Sequence, residues 1–123
     1  MRLKMNSMFA VAIFPKINPE NLVRFKDLAS EMLKVIGQQE NIIRYDLFFN
    51  NDSTQCVVLE EYSEPQGVID HVNKNAEILA QLVEIGGGIS GSVFPMNQKN
   101  DALDEIKAGW DTKVHTFFAG KKR

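Results

Sequence analysis

The sequence predicts an α+β fold of the ferredoxin-like type, a βαββαβ chain folded as a four-stranded antiparallel sheet with its helices on one face. Three observations lead there. The apolar segments alternate between strand-like runs and helical stripes in the order strand, helix, strand, strand, helix, strand. A dense turn signal, Asn50-Asn51-Asp52-Ser53, joins the second and third strands closely enough for a hairpin. Strands one and three are apolar at both parities, so the sheet has an apolar face beyond the one its helices cover.

Phe9 to Phe14 is a continuous apolar run ending at Pro15, which suits a strand covered on both sides. Asn18-Pro19-Glu20 then offers a capping oxygen, a proline at the first helical position and a carboxylate near the positive end of the helix dipole. Leu22, Phe25, Leu28, Ala29, Met32, Val35 and Ile36 recur at three and four, one stripe of an amphipathic helix, with Gly37 expected to stop it in a left-handed conformation. From Ile42 to Phe49 the odd positions Ile43, Tyr45, Leu47 and Phe49 are expected on one face, with Arg44 and Asp46 on the other. Gln55 to Tyr62 is the third strand. Pro65 opens a second helical region whose stripe runs through Val68, Ile69 and Val72, breaks near Asn75, and resumes with Ile78, Leu79, Leu82 and Val83.

Gly86-Gly87-Gly88 ends that region and Ile89 to Met96 is the fourth strand. The triple glycine follows a helix instead of preceding one, the reverse of a phosphate-binding loop, so it is read as a helix stop. Residues 1–97 form the ferredoxin-like domain, and residues 98–123 are a C-terminal extension of it. In the extension, Asp101 is the expected N-cap of a short helix carrying Leu103 and Ile106. Gly109 is its stop, and Val114 to Phe118 is a candidate extra strand to cover a sheet edge or cross to a partner.

With 123 residues, one core is feasible without disulfides, and the single Cys56 lies in the apolar run Cys56-Val57-Val58-Leu59, where a packed thiol is expected. The net charge of −2 is spread along the chain, which argues against a nucleic-acid partner. Arg2 and Lys4 before an apolar stretch imitate a secretory signal, but Pro15-Lys16 stands where a small-residue cleavage site belongs, so the stretch is read as a strand. No apolar run approaches the ~20 residues that span a bilayer, and a cytoplasmic protein without a membrane partner is expected. No metal is expected, because His, Cys, Asp and Glu show no ligand spacing.

The stretch Ile43-Arg44-Tyr45-Asp46-Leu47, the polar turn, Glu60-Glu61-Tyr62 and then Ile69-Asp70-His71 resembles the antibiotic biosynthesis monooxygenase (ABM) family, over Phe9 to about Met96. The resemblance implies a dimeric α/β barrel built from two ferredoxin-like chains. Anthrone-oxidising members place an asparagine, a tryptophan and an arginine where this chain has Val58, Tyr62 and a residue near Leu82. Haem-degrading relatives place their iron ligand at about Gln81, a poor ligand for ferric haem, so no cofactor is expected. The chain is more similar to the quinol monooxygenase and autoinducer-processing subgroup, in which a strand ends in Glu-x-aromatic and a histidine follows nine residues later. Glu60, Tyr62 and His71 fit that pattern, while a second histidine of some members would fall at Asn75 or Ala76.

In that reading His71 deprotonates an acidic phenol or enol, Tyr62 holds the resulting oxyanion, and the anion reduces oxygen without a cofactor. Each residue has a plainer alternative: His71 as a solvated helix residue or a cation near a helix end, Tyr62 as a strand-end aromatic with its hydroxyl in solvent, Glu60 as a charge partner of Arg44. The expected function is a cofactor-independent monooxygenase acting as a homodimer on a small aromatic or quinol-like molecule. The alternatives are an isomerase or degrading enzyme for a small signalling metabolite, needing basic residues such as Arg44 in the pocket, and a non-catalytic ligand-binding or stress-associated dimer.

Overall fold

The computed structural model describes residues 6–123. Strands β1 (Met8–Phe14), β2 (Ile42–Phe49), β3 (Cys56–Tyr62), β4 (Ser90–Pro95) and β5 (Thr112–Val114) form one open sheet in the order β2-β3-β1-β4-β5. All neighbours are antiparallel except β4 and β5, which run parallel. Helices α1 (Leu22–Ile36), α2 (Gln66–Lys74), α3 (Ala76–Ile85) and α4 (Asp101–Gly109) complete the chain. This is the ferredoxin-like arrangement, extended by one helix and one strand.

Parity decides which side chains meet the helices. On β1 the even residues Met8, Ala10 and Phe14 are buried, and on β3 Cys56, Val58, Glu60 and Tyr62 are, because successive side chains of a strand point to opposite faces. Two apolar clusters result. One gathers Phe14, Val58 and Cys56 beneath Phe25, Met32 and Ile36 of α1 and Leu82 and Ile85 of α3. Full burial of a side chain such as Phe25 contributes about 1.5–3 kcal/mol, so the α1 stripe is enough to fix this helix to the sheet. The other cluster joins Met8, Ala10, Tyr62 and Val93 to Val68 and Ile69 of α2 and to Leu103 and Ile106 of α4, so the C-terminal helix packs into the same sheet face. Cys56 is a packed thiol, pushed up to about 11 by burial despite a backbone hydrogen bond at Phe48 that acts the other way.

The structure departs from expectation at several element ends. Asn18 makes no side-chain cap; its carbonyl accepts from Asn21 N at 2.9 Å in a 3-10 turn, Pro19–Asn21, that leads into α1. Gly37 is right-handed (φ −61°), and the chain leaves α1 through tight bonds from Gln38 N to Val35 O and from Gln39 N to Ile36 O. A register shift between Ile42 and Arg44 makes a bulge at Ile43, so Ile42 packs inward and Ile43 is exposed, off the face shared by Tyr45, Leu47 and Phe49. The cap of α4 is Asn100, not Asp101: its Oδ1 accepts from Ala102 N and Leu103 N, with Asp101 one residue inside the helix. The extra strand is Thr112–Val114, earlier than expected, and it covers the β4 edge. The triple glycine does stop α3: Gly87 and Gly88 have φ of 75° and 106°, and a Cβ on Gly87 would lie 2.6 Å from Lys16 O.

The face of the sheet away from the helices carries Phe9, Val11, Ile13, Phe48, Val57, Leu59 and Phe94, with Phe9, Phe48 and Leu59 all more than 40% exposed. No helix among the described residues is long and apolar enough to cross a membrane.

Candidate functional site

Where the two clusters meet, a cavity of about 110 Å³ opens between the sheet and the junction of α2 and α3. Its floor exists because the middle of the sheet is built from small residues: Ala10 and Ala12 of β1, with Gly91 of β4 paired to Ala12. Its roof is Val68, His71 and Val72 of α2 and Leu79 of α3. The two helices are one helical region interrupted at Asn75 (φ −115°, ψ 22°), which caps the end of α2 and the start of α3. The walls are mostly apolar; Glu60, Tyr45 and His71 are polar side chains at its centre, and Ser92 and Thr112 also line it.

Glu60 is 8% exposed, and desolvation pushes its carboxyl up to about 7, opposed by a hydrogen bond from Tyr62. The Tyr62 hydroxyl donates to Glu60 Oε1 at 2.5 Å. Tyr62 itself is fully buried and does not line the cavity; burial and the neighbouring carboxylate raise its pKa, so it stays protonated and holds Glu60 in place. Its ring is pinned by Gly67 on α2, where an added Cβ would come within 2.6 Å of Tyr62 Cδ1. Tyr45 stands directly opposite Glu60 in the β2–β3 ladder, which brings their side chains side by side on the helix-facing surface. Burial, then the nearby carboxylate of Glu60, raises the Tyr45 hydroxyl well above its ordinary range.

His71 is 3% exposed and desolvation depresses it to about 4, so the imidazole is neutral at pH 7. Its Nε2 lies 3.1 Å from the Tyr45 hydroxyl, with the rings edge to face at 4.9 Å, and its Nδ1 lies 3.2 Å from Asn75 Nδ2. Asn75 Nδ2 also donates to the His71 carbonyl at 3.0 Å. Asn75 is 2% exposed, and its Oδ1 has no hydrogen-bond partner among the described residues, a burden of about 1–3 kcal/mol.

The plainer alternatives for the expected residues do not hold. His71 is neither solvated nor cationic, the Tyr62 hydroxyl does not reach solvent, and Glu60 does not pair with Arg44. Arg44 lies on the open face beside Asp46, 3.6 Å away, because the bulge keeps it opposite Glu61. Glu60 and His71 are brought to one cavity, while Tyr62 stands behind Glu60. Tyr45 and Asn75 were not singled out as site residues, although each carried a signal: Tyr45 shares strand parity with the inward face of β2, and Asn75 follows His71 by one helical turn. Among the described residues no group of three or more His, Cys, Asp and Glu side chains is placed to hold a metal ion.

Solved structures share this architecture. MupZ from Pseudomonas fluorescens superposes with a TM-score of 0.71 at 19% identity, over 96% of this chain and 95% of that one, so the match extends across the C-terminal segment. A protein from Nitrosomonas europaea described as a "putative antibiotic biosynthesis monooxygenase" matches with a TM-score of 0.59 at 11% identity, over 73% of this chain and 89% of that one. Another with the same description, from Bacteroides thetaiotaomicron, matches with a TM-score of 0.53 at 16% identity, over 64% and 74%. The fold is ABM-like. No family model and no curated protein matches the sequence. Val58 and Leu82 are core residues, Tyr62 is buried, and Gln81 accepts from Arg24 on the surface at 2.8 Å.

Proposed function

We propose that this protein is a cofactor-independent monooxygenase that binds a small aromatic or quinol-like compound in the cavity and removes an acidic proton from it. The observation that carries the reading is Glu60, a buried carboxyl lining an apolar cavity with its proton affinity raised to about 7. A base of that strength matches a weakly acidic phenol or enol at neutral pH. His71 suits the role of base less well, since its Nδ1 faces a donor and burial disfavours its charged form.

On an anthrone-like substrate in its enol form, proton transfer from oxygen to Glu60 leaves an enolate whose negative charge is shared with carbon. One electron passes to dioxygen, the radical pair forms a C–O bond, the resulting peroxide anion takes the proton back from Glu60, and the hydroperoxide loses water to give the quinone. Dioxygen is the oxidant, one of its atoms enters the product, and the other leaves as water. The chain's part is to desolvate and deprotonate the substrate and to exclude bulk water. The same open sheet face that exposes Phe9, Phe48 and Leu59 supports a homodimer, since exposed apolar side chains gathered on one sheet face mark an interaction surface, and an interface of roughly 1,600 Å² would bury them. The signalling-metabolite alternative is less favoured, because neither Lys nor Arg lines the cavity.

Oxygen uptake with a panel of hydroquinones and anthrones tests the reading. Wild type is expected to consume oxygen with at least one of them, and Glu60→Gln to lower that rate by roughly 10²-fold or more. A silent panel, or an undiminished Glu60→Gln rate, refutes it.

A further inference from the structure

The hydrogen bonds around His71 have a direction, and the Asn75 carboxamide sets it. Asn75 Nδ2 lies 3.0 Å from the His71 carbonyl oxygen, which can only accept, so the carboxamide nitrogen and not its oxygen must face His71. That same nitrogen lies 3.2 Å from Nδ1 of the ring, so Nδ1 is the acceptor and carries no proton. A neutral imidazole then carries its proton on Nε2, which donates to the Tyr45 oxygen 3.1 Å away. With its oxygen receiving that bond, the Tyr45 hydroxyl has its own proton free to point elsewhere. Tyr45 lines the cavity beside Glu60, and among the described residues its hydroxyl has no hydrogen-bond partner other than His71. The unpartnered Asn75 Oδ1 is what this orientation leaves behind, and a buried orphan of this kind calls for a reason.

We infer that Asn75, His71 and Tyr45 form a one-way hydrogen-bond chain that makes the Tyr45 hydroxyl an oxyanion donor in the cavity, and that the ligand is a phenol or enol whose single oxygen meets both Tyr45 and Glu60. The oxygen gives its proton to the Glu60 carboxylate and its anionic form accepts from Tyr45. His71 and Asn75 are positioning residues: neither needs to exchange a proton. The raised Tyr45 pKa keeps the hydroxyl protonated, as a donor must be. The depressed His71 pKa keeps the imidazole neutral, so that Nδ1 can go on accepting. The inference rests on the proposed reading only for where the ligand sits, and its test involves no oxygen.

The probe is 4-nitrophenol, whose phenolate is coloured and whose phenol is not, with nitrobenzene as a similarly shaped ligand lacking the hydroxyl. Wild type is expected to bind 4-nitrophenol with an increased ionised fraction. Tyr45→Phe is expected to weaken that binding about tenfold or more and to lower the ionised fraction, while nitrobenzene affinity stays within about threefold. His71→Leu is expected to act in the same direction as Tyr45→Phe. His71→Gln, which keeps an N–H near the Nε2 position, is expected to restore much of the loss. Nitrogen NMR of the wild-type imidazole reads the tautomer directly and does not depend on any variant folding. A proton on Nδ1, unchanged phenolate binding by Tyr45→Phe, or no binding of 4-nitrophenol by wild type up to millimolar concentration each overturns the inference. Phenolate binding without oxygen uptake on any substrate leaves it standing and defeats the oxygenase reading alone.

Discussion

Replacing Glu60 with Gln removes a carboxyl that the fold holds near neutrality, and the effect on stability follows from where its proton goes. Burial disfavours the carboxylate, so the folded protein binds the Glu60 proton more tightly than the unfolded chain does. Below pH 4.5 both states are protonated and the burial costs nothing through ionisation. As the pH rises from 4.5 to about 7 the unfolded chain ionises first, and stability falls. The rise from 4.5 to about 7 corresponds to a loss of about 3 kcal/mol by pH 7. His71 runs the other way: depressed from 6.5 to about 4, it contributes stability fully present above pH 6.5 and lost as the pH falls towards 4. In wild type the two slopes largely cancel between pH 4.5 and 6.5. The stability of Glu60→Gln minus that of wild type is free of the His71 contribution, and it should grow by about 3 kcal/mol from pH 4.5 to pH 7. Urea unfolding at one protein concentration, followed by circular dichroism and by the single tryptophan, Trp110, measures it. A difference that stays flat across that range would mean that Glu60 ionises normally in the fold, and the carboxyl would lose its standing as a base tuned to neutral pH.

Gly67→Ala should be destabilising despite a helix-propensity gain of about 1 kcal/mol, because the new Cβ would sit 2.6 Å from the buried Tyr62 ring and 3.0 Å from Asn41 O. A net loss of about 1–2 kcal/mol in urea unfolding is expected, and an increase in stability would show that the Tyr62 ring has room to move. Wild type should have a dimeric mass by light scattering at micromolar concentration, and Leu59→Glu, on the middle of the open sheet face, should be monomeric with an unchanged circular dichroism spectrum; a monomeric wild type refutes the interface. Val72→Phe, which places a ring in the cavity roof, should weaken nitrobenzene binding about tenfold or more while the protein stays folded, and unchanged affinity would move the ligand site elsewhere.

Much of the fold was legible because its signals are local. The period of the α1 stripe, the Asn50 to Ser53 turn and the triple glycine each act over a few residues, and each is found where its chemistry places it. The errors were equally local in kind. Asn18 and Asn100 are both good capping residues, yet Asn100 caps and Asn18 does not, since the choice depends on how the chain enters each helix. The bulge at Ile43 moved one side chain to the other face, because a two-residue alternation cannot show an inserted residue. At the site, the distance between Glu60 and Tyr62 along one strand was readable, but which of them lines the cavity was not.

The sequence by itself determined the element order, the two-sided apolar character of β1 and β3, and the set of ionisable groups within reach of one sheet face, since composition and period are properties of the chain. Only the tertiary structure decided their roles. Whether Glu60 is a surface charge or a buried base depends on what excludes water from it, and whether His71 gives or takes a proton depends on Asn75 and Tyr45. Those partners come from a helix junction and a neighbouring strand, and hydrogen-bond direction arises only when they meet.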